Sequence, residues 1–423
     1  MKSPPAAWTA SERSTPTMAG ASAAPPRALT SARKTRTAAN FKLDGFVTRS
    51  LFDLFSNFIF FLKDPLHGDG IQQHDSRLIE GVNAQYQLAH KVAGLQALLT
   101  AGANFHDNQI NVGLYPQEAR VPFAVSTRDH AHVTNGATYL QESVTLLGGR
   151  MVLGGGLRLD EFRFQVAGRD SISSTLAQPK ANLSFRPSIS LPFTLYANYG
   201  RGISTADARG VVQHPEQPAV STTDFYQVGS AQHIGRISTS VDAFWIDRSN
   251  EQVYIPDDGT FEFKGPSRAY GVEAKVSVEL NHHLSLNGGL TKVANAFYRG
   301  TFPRVYVDST PHFTANVGLT LAGWHGWSGS LRMRAINHYR LDGEDASIVA
   351  SGHTVFDLGL SRRIRRGVDF NLTLDNLTNR DYYETQNYFE SRLPGQDAMS
   401  RIHGTPGYPL TAVVGLTFRL KGK

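Results

Sequence analysis

Residues 367–384 read GVDFNLTLDNLTNRDYYE, and residues 409–420 read PLTAVVGLTFRL. In both stretches apolar side chains recur at every second position, from Val368 to Leu374 and from Ala412 to Leu420, while the positions between them are mostly polar. Only Val413 breaks the polar set. A period of two residues is typical of a β-strand with one apolar and one polar face. The two stretches therefore predict two long amphipathic strands, joined by a long, irregular loop.

This pair of segments resembles the C-terminal signature of TonB-dependent outer-membrane receptors. The resemblance is carried by the run NLTNRDYYE after the first strand and by PGYP, at residues 406–409, before the last one. It implies a transmembrane antiparallel β-barrel of about 22 strands with a plugged lumen. Receptors of this family usually end on an aromatic residue, whereas here Leu420 is followed by Lys421–Lys423.

Long and short connections alternate along the rest of the chain. Short turns are predicted at Gly148-Gly149, Gly235-Arg236, Asn281–His283, Gly323–Gly326 and Arg363–Arg366; long segments are predicted at Asn111–His132, Arg201–Ser221, Arg248–Pro266 (with a hairpin signal at Asp257–Gly259), Tyr298–Asp308 and Leu341–Ser351. Outer-membrane barrels have short turns on one side and long loops on the other. Residues 41–423 are therefore predicted to form an all-β transmembrane barrel, of which about 16 strands can be counted.

The alternation also predicts which side chains face the lipid. In Trp327–Ala335, the odd-numbered, mainly apolar residues should face outward, whereas Arg332 and Arg334 should face the lumen. Aromatic residues near strand ends, such as Trp324, Trp327 and Tyr382, are interpreted as an interfacial girdle and not as a ligand-stacking site.

Composition excludes several other classes of protein. Cysteine is absent, which excludes disulfides and thiolate-metal sites, and no run of 18 apolar residues suggests a membrane-spanning helix. The formal charge of +6 is scattered along the chain. Its denser clusters, Arg33–Arg36 and Arg362–Arg366, do not form a basic surface of the kind that nucleic acid requires, so no nucleic-acid partner is expected.

The first 40 residues differ from all that follows. Met1–Asn40 is rich in Ala, Pro, Ser, Thr and Arg and lacks strand-like alternation, so we expect it to be disordered. It contains neither the apolar core of a secretory signal nor a recognisable plug or TonB-contacting motif. The sequence thus suggests a truncated or mis-started version of a longer receptor.

No catalytic, cofactor or metal constellation is predicted, and an enzyme is not expected. His106, His130 and His132 lie in or near a predicted long loop, with Asp107 and Asp129 beside them. They are interpreted as ordinary loop residues because no recognisable haem or metal motif surrounds them.

In the resembled family, ligand contacts come from the long loops and the plug. By that resemblance the candidate ligand-binding residues are Tyr115, Arg120 and Arg128 in the first long loop, Arg201 at the mouth of a later one, and Tyr388 and Arg392 in the last. Arginine and tyrosine suit an anionic ferric siderophore, through charge-assisted hydrogen bonds and cation–π contacts.

Three functional hypotheses follow. The first is an outer-membrane receptor, surrounded by outer-membrane lipid, that takes up a scarce ligand such as a ferric siderophore with energy from the TonB system of the inner membrane. The alternative is a passive, porin-like channel built from the same strands. A soluble β-rich module is disfavoured by the one-sided distribution of long loops.

Overall fold

A computed structural model of the protein describes residues 27–34, 39–169, 171–188, 190–255 and 260–419. The predicted turn at Asp257–Gly259 and the chain end from Leu420 to Lys423 lie outside the described residues. The strands are β1 (Arg27–Lys34), β2 (Ala39–Ser56), β3 (Ile71–Val92), β4 (Leu95–Glu118), β5 (Val121–Pro122), β6 (Thr127–Leu146), β7 (Met151–Val166), β8 (Ile172–Phe185), β9 (Phe193–Thr205), β10 (Val220–Ile234), β11 (Ile237–Arg248), β12 (Gln252–Ile255), β13 (Thr260–Phe263), β14 (Ser267–Glu279), β15 (Leu284–Tyr298), β16 (Phe313–Trp324), β17 (Trp327–Ile336), β18 (Tyr339–Arg340), β19 (Val349–Ala350), β20 (His353–Arg365), β21 (Val368–Asp375), β22 (Tyr383–Ser391), β23 (Met399–Pro406) and β24 (Thr411–Phe418), with a short helix α1 (Ala208–Gln213) between β9 and β10.

One antiparallel sheet of 18 strands dominates the described part of the chain. Without β1 and the two-residue β5, sixteen strands remain, and each pairs with its neighbours in sequence order. The remaining six strands form three small hairpins, β12–β13, β18–β19 and β22–β23, inserted in long loops. Each connection between neighbouring antiparallel strands stays local, so the sheet is an up-and-down meander. This confirms the predicted all-β barrel architecture.

The two faces of the sheet differ as the alternation predicts. On β17, Leu331 lies opposite Leu319 of β16 and Leu358 of β20, and 40% of its surface is exposed. Arg332 and Arg334 lie on the other face, where both reach Asp357 of β20. The prediction that these two arginines point away from the apolar face is therefore confirmed.

All the long connections lie at one end of the sheet. The strand pairs β3–β4, β6–β7, β8–β9, β10–β11, β14–β15, β16–β17 and β20–β21 are joined by turns of two to seven residues at the opposite end. Such turns need left-handed backbone, and glycine supplies it at Gly94, Gly235 and Gly367. The predicted alternation of long and short connections is confirmed except between β7 and β8, which are joined by only five residues (167–171), fewer than the seven between β8 and β9.

The predicted loop at Asn111–His132 is wrong in its extent. β4 continues to Glu118 and β6 begins at Thr127, so most of that segment is paired strand. β3 and β4 contain 22 and 24 residues, whereas about 9–11 residues suffice to cross a bilayer. Beyond the apolar belt the outward residues need not be apolar, so the alternation ends while the hydrogen-bonded ladder continues.

A row of aromatic side chains marks a level on the outward face of β9, β10, β11 and β14. Tyr199, Tyr226, Trp245 and Tyr270 lie opposite one another in successive strands. The rings of Tyr199 and Tyr226 are 5.0 Å apart, as are those of Trp245 and Tyr270. Aromatic rings of a membrane barrel collect at the boundary between lipid and water. We call this set the aromatic row.

A row of charged residues lies two positions nearer the long loops on the same face. Arg201 lies opposite Asp224, Asp224 opposite Asp247, and Asp247 opposite Arg268. Each arginine makes a bidentate contact with one aspartate, at 2.9 and 2.9 Å for Arg201–Asp224 and at 2.6 and 2.9 Å for Arg268–Asp247. The aromatic row therefore separates an apolar belt from a charged rim.

The segment before residue 41 is described only in part. β1 and the start of β2 at Ala39 lie within the stretch predicted to be disordered, and β1 pairs with β2. Residues 1–26 and 35–38 lie outside the described residues. The domain boundary at residue 40 stays a prediction. No helix in the described part of the chain is long and apolar enough to cross a membrane.

A charged side chain should destabilise the protein when it is placed on the outward face, but not when it is placed on the lumen face. We expect Leu331→Arg to lower the free energy of unfolding by about 2–4 kcal/mol, because the guanidinium would enter the apolar belt. Ser330→Arg on the same strand, facing the lumen, is the matched control and should change it by less than about 1 kcal/mol. Urea unfolding of the protein refolded into phospholipid bilayers measures both; equal losses would contradict the assignment of faces.

Candidate functional site

The loop between β9 and β10 turns inward over the end of the barrel that carries the long connections. On β7, Leu153, Leu157 and Leu159 are exposed on the outward face, so Phe162, Phe164 and Val166 face the lumen. Helix α1 covers these three side chains. Val211 of the helix is 2% exposed and Phe164 is 0% exposed.

This contact stabilises the inward position of the loop. Ala208, Val211, Ala219 and Val220 pack with Phe162, Phe164 and Val166 in one buried apolar cluster. Full burial of a side chain such as Phe or Val contributes about 1.5–3 kcal/mol. At its first turn the helix is capped by Asp207, whose carboxylate accepts a hydrogen bond from the backbone N–H of Arg209 at 2.9 Å.

A cavity of about 290 Å³ lies between this loop and the inner wall. Its polar lining comprises Arg77 of β3, Asn108 of β4, Thr205 of β9, and Asp207 and Arg209 of the loop. Arg77 donates from Nε and Nη2 to Asp75, with a contact of 2.6 Å from Nη2. Arg209 is buried, donates to Asp207 at 3.0 Å, and lies 5.5 Å from the centre of the Phe261 ring. We call it the mouth cavity.

The inner wall nearer the short turns is polar. A second cavity, of about 480 Å³, is lined by Gln85, Asn104, Tyr139, Arg158, Gln178 and Lys180, among others. Two of these lining residues, Arg158 and Gln178, donate hydrogen bonds to Asp160, which is 1% exposed and also accepts one from Asn135. A buried carboxylate is stable only when it is paired in this way. The wall can therefore contact polar material in the lumen.

The predicted ligand residues around the first long loop are mostly in strands. Tyr115 lies in β4 opposite Gln72, and Arg128 lies in β6 opposite Gly113. Arg201 lies in β9, on the outward face, where Asp224 holds its guanidinium. Arg120 alone of these is in a turn, with a positive φ of 69° and its guanidinium 5.8 Å from the centre of the Phe55 ring.

The last long loop places its two predicted residues differently. Tyr388 is half-buried in β22, opposite Ile402 of β23. Arg392 follows β22 and reaches the loop between β2 and β3, where its Nε and Nη2 donate to the carbonyl oxygens of Phe61 and Leu62 at 2.6 and 2.7 Å. The predicted loop position is therefore wrong for Tyr115 and Arg128, whereas Tyr388 lies in a hairpin within the last long loop and Arg201 lies near the end of β9. As ligand contacts, all six stay predictions.

We call the contact of Arg392 with Ile59–Leu62 the Arg392 clamp. Backbone hydrogen bonds reinforce it, from Arg392 N to Ile59 O at 3.2 Å and from Phe61 N to Arg392 O at 3.0 Å. Beside it the ring of His403 stacks on Phe389, with centroids 4.0 Å apart, and lies 5.7 Å from the ring of Phe60. The clamp thus joins the loop between β2 and β3 to the loop between β21 and β24.

Sequence reasoning missed Arg77 and Arg209. The signal was present in β3 and β7: Arg77 lies on the lumen parity of its strand, and Phe162, Phe164 and Val166 are apolar residues on a face expected to be polar. Apolar side chains that face a water-filled lumen are expected to be buried by another part of the protein, and here the inward loop buries them.

The three histidines considered as metal ligands do not converge. His132 is 2.6 Å from Asp107, His130 is 2.8 Å from Asn111, and His106 is 3.1 Å from Asn83. His106 is on the lumen face, whereas the other two lie on the outward face. Among the described residues, no group of three or more acidic or histidine side chains could hold a metal ion.

Comparison with known proteins identifies the architecture. A model of the TonB dependent receptor-like β-barrel family matches residues 15–377. No match was found among curated protein sequences. The 363 positions that the family model matches include the mouth cavity, the aromatic row and most of the sheet.

Solved structures agree with the family match. The ferric preacinetobactin receptor BauA of Acinetobacter baumannii superposes with a TM-score of 0.71 at 15% identity, over 92% of this chain and 62% of BauA. The ferric-catecholate import receptor Fiu of E. coli K12 gives 0.71 at 16% identity, over 92% and 63%. FpvA of P. aeruginosa, solved with ferric pyoverdine, gives 0.73 at 12% identity, over 92% and 55%. At these identities the likeness shows the fold, and the chain spans less than two thirds of each structure.

Removing the clamp should free the two loops. In Arg392→Ala, two charged hydrogen bonds are lost, so amide hydrogen exchange of Ile59–Leu62 should become about 10- to 100-fold faster. Arg304→Ala, which removes an exposed arginine from a different long loop, should leave it unchanged. Unaltered exchange in Arg392→Ala would contradict the clamp.

The clamp region should also loosen in acid. Burial and the nearby Arg401 lower the pKa of His403 below its ordinary value of 6.5, and its Nε2 has no hydrogen-bond partner among the described residues. A histidine with a depressed pKa stabilises the folded arrangement above pH 6.5, and this contribution is lost as the pH falls below that value. Exchange of residues 57–62 should therefore be faster at pH 5 than at pH 7.5, after correction for intrinsic exchange. His403→Gln should abolish the difference; if it persists, another group is responsible.

Proposed function

Because this chain belongs to the TonB-dependent receptor-like β-barrel family, we propose that it forms the barrel of an outer-membrane receptor that takes up an anionic ferric siderophore. The observation that carries the proposal is the mouth cavity, which Arg77 of β3 and Arg209 of the inward loop both line. The family consists of receptors and transporters. Structures that superpose on the chain include receptors named for ferric preacinetobactin and ferric catecholates.

The chemistry of the mouth cavity suits such a ligand. A guanidinium has five N–H donors, of which Asp75 takes those at Nε and one at Nη2 of Arg77. The remaining donors can bind the carboxylate or catecholate oxygens of a siderophore. Asn108 adds an amide, and the nearby apolar lining from Ile110 and Val133 can contact the organic backbone of the ligand.

The location and partners follow from the same proposal. The apolar belt below the aromatic row would lie in the outer membrane, and the long loops would face the exterior. Energy for uptake would come from the TonB system of the inner membrane, through a plug held against the polar wall around Asp160. That wall offers amide, hydroxyl and charged groups, which suit a hydrated protein surface.

A passive porin-like channel is the alternative. The inward loop argues against it, because α1 packs on the lumen face of β7 and narrows the mouth. Conductance of the protein in planar bilayers distinguishes a receptor from a porin. The conductance of a receptor barrel should depend on the ligand, whereas a porin should pass ions steadily and bind no ferric complex.

Loss of the two arginines should weaken ligand binding. Each charge-assisted hydrogen bond contributes about 1.5–3 kcal/mol, so Arg77→Gln with Arg209→Gln should weaken binding of ferric enterobactin or ferric citrate at least about 10-fold. Arg236→Gln in a short turn at the opposite end is the matched control. Quenching of tryptophan fluorescence in detergent measures both. If the protein binds neither complex, or if the double variant binds like the parent, the proposed ligand site is wrong.

A further inference from the structure

A pocket of about 430 Å³ lies apart from the lumen, under the loops that follow β15 and β17. Its polar lining includes Lys292 and Asn295 of β15, Tyr306 and His312 of the next loop, and Asn337 and Arg340 near β18. No aspartate or glutamate occurs among the described residues that line it. We call it the outer pocket.

The outer pocket opens on the lipid-facing side of the wall. Lys292 lies opposite Val272 and Phe313, and two positions below it Leu290 is 40% exposed on the same face. A bulge at Ala294 then shifts the register, and Asn295 lies opposite Tyr270. Since Tyr270 ends the aromatic row, the pocket is at the height of that row, immediately above the apolar belt.

The charge of this pocket distinguishes it from the rest of the outward face. In the charged rim, Arg201 and Arg268 are each neutralised by an aspartate. Lys292 and Arg340 have no ion pair with any described residue, and Arg340 lies 4.4 Å from the centre of the Tyr306 ring. Burial, and after it the positive charges of Lys292 and Arg340, lower the pKa of His312. Two cations thus converge on a concave site without a counter-ion from the described chain.

We propose that the outer pocket binds a phosphate group in the headgroup of an outer-leaflet lipid. The inference rests on the proposed membrane location, but not on the proposed ferric ligand. Lys292 and Arg340 would donate charge-assisted hydrogen bonds to the phosphate oxygens, with Asn295 and Asn337 as further donors. The acyl chains would lie along the exposed Val272 beside Lys292 and along Leu290 and Val317 below it. A soluble anion would gain nothing from those apolar contacts, so the geometry favours a lipid.

Native mass spectrometry of the full chain in neutral detergent tests this proposal. The probes are diphosphorylated lipid A, the same lipid without its phosphates, and sodium phosphate. We expect a one-to-one adduct with the diphosphorylated lipid, and we expect its retention to fall about 10-fold or more in Lys292→Gln with Arg340→Gln. Lys91→Gln with Arg236→Gln removes two charges near the short turns and should retain the adduct.

Folding and competing explanations are controlled in the same experiment. Heat-modifiable gel migration shows whether each variant is folded, and Lys292→Arg with Arg340→Lys should restore binding if the charge is what matters. Equal adducts in the double Gln variant and the parent would overturn the site. Equal binding of the dephosphorylated lipid, or displacement by equimolar sodium phosphate, would overturn the phosphate-bearing lipid as the ligand. Ferric-ligand binding that survives in the double Gln variant keeps this result separate from that of the mouth cavity.

Discussion

The structure depends on one constraint: in lipid, backbone N–H and C=O groups must find partners within the protein. A meander in which each strand pairs with its sequence neighbours meets this requirement with local connections for all but the two edge strands of the described sheet, β1 and β24. It also fixes two faces, because side chains alternate along each strand. Once the apolar set faces the lipid, residues such as Arg332, Arg334 and Asp357 must meet inside, and they do so as ion pairs.

The sequence predicted the features that this constraint governs. Alternation at Val368–Leu374 and Gly-containing turns such as Gly235-Arg236 were sufficient to locate strands, faces and the side that carries the long loops. The ends of the long strands were not predictable in the same way. At Asn111–Glu118 the outward residues are no longer in contact with lipid, so apolar patterning stops, although backbone pairing with β3 and β6 continues.

The mouth cavity lay beyond sequence reasoning for another reason. Arg77 and Arg209 are more than a hundred residues apart in sequence, and only the folding of the inward loop brings them to one cavity. Candidate ligand residues were chosen because they are tyrosines and arginines near long loops, but some of them make contacts within the sheet. Arg201, for example, is bound to Asp224 on the outward face. The type of a residue indicates whether it could bind such a ligand. Its odd or even position along the strand decides whether its side chain faces the lumen or the lipid.

Arg392 joins parts of the chain that are 331 positions apart, from its Nε to the carbonyl oxygen of Phe61. Closing so long a loop is entropically costly unless the intervening strands are already ordered. We therefore expect the contact to form late in folding, after the strands from β3 to β21 have paired. The contact between these two loops would then indicate that the barrel has finished assembling. A protease should cut residues 57–70 in folding intermediates but not in finished barrels.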